Sequence, residues 1–102
     1  MAFPEGDFRK ALDAFSLHLR EMGYVQSWMF MRRKPHQDYD NRPPNAPFSV
    51  SITFADMATA QACYDYVSEN NEPLRSLHQA VFSKVVKSTA SFVLLEEVMP
   101  QA

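Results

Sequence analysis

Apolar residues at positions 8, 12, 15, 19 and 22 recur at spacings of three and four. That period places Phe8, Leu12, Phe15, Leu19 and Met22 on one stripe of a helix over 7–22. Asp7 stands where its carboxylate can accept a free N–H at the helix start, and Gly23 can take the left-handed conformation that ends it. The period then shortens to two. Over 24–34 the chain is aromatic and β-branched, with Tyr24, Trp28 and Phe30 on one face and Val25, Ser27, Met29 and Met31 on the other. This predicts a strand whose two faces both pack against something.

The stretch 35–47, rich in proline and polar residues, has no apolar period and reads as a long connection within one domain. A second strand follows over 48–54, where Phe48, Val50, Ile52 and Phe54 alternate with Ser49, Ser51 and Thr53. Asp56 can cap a second helix with Met57, Ala60, Cys63, Tyr64 and Val67 inward, closed by Asn70, Asn71 and Pro73. A third, shorter helix carries Leu74, Leu77, His78, Val81, Phe82 and Val85 on one side. The run 90–98 (Ala-Ser-Phe-Val-Leu-Leu-Glu-Glu-Val) predicts a last strand.

Helix, strand, strand, helix, short helix, strand is the order of an α+β protein with an antiparallel sheet. One strand before the first helix would make it the βαββαβ order of a ferredoxin-like sandwich. Only six residues precede the predicted helix, and Pro4 and Gly6 are poor strand formers. The first strand is therefore expected to be missing or very short, which leaves the last strand without its neighbour. A misplaced start, a differently closed sheet or a strand from a partner chain would each resolve this, with truncation or rearrangement favoured.

Several segments taken together resemble an uncharacterised bacterial family of the dimeric α/β-barrel superfamily, which is ferredoxin-like. They are Asp-Phe-Arg-Lys-Ala-Leu-Asp-Ala-Phe (7–15), His-Leu-Arg-Glu-Met-Gly (18–23), Met-Arg-Arg-Lys (31–34), Phe-Ser-Val-Ser-Ile-Thr-Phe-Ala-Asp (48–56) and Leu-His-Gln-Ala-Val-Phe-Ser-Lys-Val (77–85). The resemblance covers roughly 7–98 by order of elements, and none of its pieces is a catalytic signature. It implies a homodimer whose sheets face one another around a cavity, in a superfamily of cofactor-independent monooxygenases, haem-degrading enzymes, cyclases and members without known activity. The residues argue independently for association, because a strand apolar on both faces leaves one of them wet in a monomer.

Composition narrows the partners. The 102 residues carry a net charge of −2 and 46% apolar residues, enough for one small soluble domain spanning 1–102 and too acidic for nonspecific nucleic-acid binding. No membrane partner is expected, since no apolar run approaches the roughly 20 residues of a membrane-spanning helix. Cys63 is the only cysteine, so no internal disulfide can form. With no leader visible, the cytoplasm is the expected compartment.

His78 is the leading candidate for chemistry. On an apolar stripe its ring is partly buried, and as a general base it would need Tyr24 or Tyr64 to orient a substrate. A core histidine held by a hydrogen bond is the preferred reading, because no second catalytic group stands beside it in sequence. Trp28, Met29, Met31 and Arg32 are the candidate ligand-binding residues. His36, Asp38 and Asp40 have an alternate spacing that could meet a divalent metal, but loop aspartates more often serve turns, so no metal and no cofactor is expected. Arg32, Arg33, Lys34 and Arg42 could hold an anion, or pair with Asp38 and Asp40. Cys63 reads as a buried inert thiol, and His18 and Tyr66 as rim residues. Two readings follow: a homodimeric ligand-binding or interaction module without catalysis, which is preferred, and a cofactor-independent enzyme acting on a small, partly apolar molecule.

Overall fold

A computed structural model describes residues 4–40, 47–85, 90–98 and 100. Three helices and a two-stranded antiparallel sheet follow in the order α1 (Glu5–Glu21), β1 (Ser27–Arg32), β2 (Phe48–Thr53), α2 (Met57–Ser68) and α3 (Leu74–Phe82). The protein is α+β.

α1 forms where the period predicts it. Phe8, Leu12, Phe15 and Leu19 are buried along one stripe, and Ser16 completes it at 0% exposure. The start differs from expectation. The helix begins at Glu5 after Pro4, so Asp7 lies inside the first turn and caps nothing; with Glu5 it faces the positive end of the helix dipole instead. Proline supplies the preset φ that suits a helix entrance. Gly23 ends the chain reversal at φ +89°, as predicted, while Met22 falls past the helix end and is exposed.

β1 and β2 pair with Trp28 opposite Ile52, Met29 opposite Ser51, Phe30 opposite Val50 and Met31 opposite Ser49. Opposed residues share a face. One face therefore carries Trp28, Phe30, Arg32, Phe48, Val50 and Ile52, and α1 packs on its β1 half. The other carries Met29 and Met31 among Ser27, Ser49, Ser51 and Thr53. Within one protomer this second face of β1 is open, as expected of a strand apolar on both faces without a partner: Met29 is 57% and Met31 40% exposed.

Asp56 caps α2 as expected, its carboxylate accepting from the Thr59 amide at 2.7 Å. The buried side of α2 is rotated from the predicted one. Cys63 is buried and Tyr66 and Val67 pack on the core, whereas Met57 and Tyr64 face solvent. α3 uses the predicted stripe, with Leu74 and Val81 buried and Leu77, His78, Phe82 and Val85 half-buried. α3 lies against both α1 and α2, so the core sits among the helices and under β1.

The largest correction concerns 90–98. The segment forms no strand, and Phe92, Val93, Leu94, Leu95 and Val98 are between 68% and 85% exposed. No strand precedes α1 among the described residues, so the segment finds no neighbouring strand to complete it.

Candidate functional site

Four consecutive residues of β1, Trp28 to Met31, line a surface groove of about 440 Å³ together with Arg9 and Asp13 of α1. Consecutive strand residues point to opposite faces, so a groove that touches all four runs along the strand's edge. No β2 residue lines it, which makes it the edge that β2 leaves unpaired. The helix wall of the groove is held by polar ties. The Trp28 indole N–H donates to Asp13 Oδ1 at 2.8 Å, Arg20 lies over the Trp28 ring with 5.0 Å to its centroid, and Arg32 Nη2 donates to Glu5 Oε1 at 2.5 Å. Antiparallel α1 and β1 thus present an apolar strand edge beneath a polar helix flank.

The four predicted ligand-binding residues are divided by this geometry. Trp28 and Arg32 point to the helix side of the sheet, and Met29 and Met31 to the open side. Trp28, Met29 and Met31 meet again along the edge groove, whereas Arg32 is engaged by Glu5.

His78 lies elsewhere. Its ring stacks on Phe82 at 4.5 Å between centroids and meets Phe15 edge-on at 5.7 Å. Burial among these rings pushes its pKa below the ordinary imidazole value, so the neutral form is favoured. Among the described residues no hydrogen bond reaches its ring nitrogens, and His78 lines neither the edge groove nor a second cavity of about 370 Å³ beside Asp7, Lys10 and Lys84. Tyr24 and Tyr64 are not brought to it: Tyr64 faces solvent, and Tyr24 stacks on Tyr66 at 5.2 Å.

Tyr66 also stands 3.0 Å through its hydroxyl from His18 Nε2, so α1, the turn after it and α2 are joined by one aromatic–imidazole cluster. Sequence reasoning missed this pairing. The signal was present in the 60–63–67 stripe, which brings position 66 to the buried side once Tyr64 is turned out.

The remaining polar candidates serve local structure. His36 Nδ1 accepts from the amides of Asp38 and Tyr39, and the Asp40 amide bonds the His36 carbonyl, closing a tight turn. Arg33 clasps Asp40, with Nη2 to Oδ1 at 2.7 Å and both side chains largely covered. The carboxylate raises the guanidinium pKa further. This pair is sheltered rather than solvated and ties the connection back to the end of β1. Arg42 lies outside the described residues. Among those described, no group of His, Cys, Asp or Glu is arranged to hold a metal ion. Desolvation raises the Cys63 thiol, the reverse of what a nucleophilic cysteine needs. Among the described residues no helix is long and apolar enough to cross a membrane.

The chain belongs to a family of unknown function, DUF6614, whose model matches residues 3–95. No curated protein and no solved structure matches it.

Proposed function

We propose that the protein is a small homodimeric interaction or ligand-binding module of the bacterial cytoplasm, without catalysis. In this reading it is one ferredoxin-like domain related to the dimeric α/β barrels. The observation that carries it is the exposed apolar surface of 92–98, present in the same protomer as an open strand edge and the uncovered methionines of β1. Each large apolar side chain withdrawn from water contributes about 1.5–3 kcal/mol, so five of them outside the core are a strong drive to association. The small organic ligand of this reading would lie against Trp28, Met29 and Met31, where apolar contact is offered beside Arg9 and Asp13. The enzymatic alternative rests on His78, whose neutral imidazole suits a general base. A catalytic site needs convergent polar groups, and His78 is surrounded by Phe15 and Phe82 instead. The non-catalytic reading is therefore preferred. Size-exclusion chromatography with light scattering at micromolar concentration tests it: twice the 11.7 kDa chain mass is expected, and a stable monomer overturns it.

A further inference from the structure

We infer that the homodimer is built by strand exchange: residues 92–98 of one copy lie along the unpaired edge of β1 in the other. The inference rests on the homodimeric reading and specifies its contact. Three independent properties of the two surfaces fit.

The first is backbone complementarity. The edge groove exposes the outer side of a six-residue strand, whose outward N–H and C=O groups are a template for a further strand. The segment is its counterpart, an apolar run of β-forming residues with no ladder of its own. The second is the pattern of side chains. β1 is apolar on both faces, with Trp28 and Phe30 on one and Met29 and Met31 on the other. The segment matches it, with Phe92 and Leu94 alternating with Val93 and Leu95. An added strand places its alternate side chains on the two faces of its neighbour, so both sets are covered at once. The third is charge. Glu96 and Glu97 follow the apolar run, and Arg20 stands over Trp28 on the α1 flank beside β1, while Arg9 in the groove lies 4.0 Å from Asp13.

Groove and segment coexist unfilled in a single protomer, so the segment does not cover the edge of its own chain. A second copy supplies both surfaces in equal number, and a two-fold axis repeats the contact without leaving either one open. Specific interfaces begin at roughly 1,200 Å², and a two-fold exchange would count both segments and both strand edges toward it.

Disulfide trapping tests the exchange. Met31→Cys is combined in turn with Phe92→Cys, Val93→Cys, Leu94→Cys and Leu95→Cys, all with Cys63→Ala. The expected result is a reducible covalent dimer at alternate positions only, because a paired strand presents every second side chain to the Met31 face. In parallel, Leu94→Lys at an exposed position should keep the helical circular dichroism of the protomer and weaken dimerisation on the order of tenfold or more. A disulfide confined to one chain overturns the exchange in favour of a folded-back segment. A dimer in solution with no cross-link at any of the four positions also overturns it, while leaving the homodimer intact. A monomeric wild-type chain removes both.

Discussion

α1 and the 90–98 segment each carry five large apolar residues, the segment within about half the length, yet their fates are opposite. Phe8, Leu12, Phe15 and Leu19 are at most 7% exposed, whereas Phe92, Val93, Leu94 and Leu95 are at least 68% exposed. The difference lies in where each finds its backbone hydrogen bonds. A helix satisfies its own N–H and C=O groups within a few residues and needs only something to pack its stripe against. A strand needs a neighbour's edge before its side chains can be buried, and the segment pairs with none among the described residues of the protomer. Apolar content alone therefore does not decide burial: the less apolar region forms a core and the more apolar one an unpartnered surface.

The comparison predicts a large asymmetry between equivalent truncations. Leu19→Ala, in the closely packed helix stripe, should cost about 3 kcal/mol in urea unfolding, since the transfer loss is joined by a cavity. Leu94→Ala should leave the stability of the isolated protomer, measured at high dilution, within about 0.5 kcal/mol of wild type. Comparable losses at the two positions would mean that 90–98 is packed within its own chain. Ser16→Ala should act in the opposite direction. Its hydroxyl is fully buried with no hydrogen-bond partner among the described residues, so removing it should raise stability by about 1 kcal/mol. A loss of that size instead would reveal a partner for the Ser16 hydroxyl.

Acid should weaken the helical region by a smaller amount. The folded pKa of His78 lies below the ordinary value of 6.5, because burial disfavours the imidazolium. The unfolded chain therefore binds this proton first as pH falls. The stabilising contribution is complete above about 6.5 and is lost as pH drops through the folded value. Asp56 and Glu72 act in the same sense at lower pH. Hydrogen bonds from Thr59 hold the Asp56 carboxyl below its usual range, and those from Ser76 and Arg75 do the same for Glu72. Thermal melts between pH 7.5 and 5.5 should show a falling midpoint, and His78→Gln should flatten that part of the profile. An unchanged slope in the variant would remove His78 as its source.

The legible parts of the molecule are those governed by nearest neighbours along the chain. The α1 stripe, the reversal at Gly23, the Asp56 cap and the stripe of α3 each depend on residues within one or two turns. The period in β1 identified a strand and its alternation, but not which face α1 would cover. In α2, positions 63, 64, 66 and 67 are all apolar or aromatic, so periodicity alone tolerated a rotation that exchanged Tyr64 for Tyr66. The aromatic–imidazole cluster went unseen because His18 and Tyr66 are 48 positions apart. Likewise, pairing of the Arg32–Lys34 cluster with Asp38 or Asp40 was one of several open readings, and the choice of Arg33 with Asp40 and its shelter from solvent depended on the chain folding back after β1. Of the candidate site, Trp28, Met29 and Met31 were identified as a group before their relation to the strand edge was visible.

By itself the sequence determined the helices, the two strands that pair and the α+β class, because spacing, caps and turn residues act over distances shorter than the elements they define. Only the tertiary structure decided which apolar residues enter the core, which edge of β1 remains open and that 90–98 lies outside the sheet. Those outcomes depend on a partner surface at the right place, and the apolar pattern of a segment specifies its need for such a surface without specifying its location.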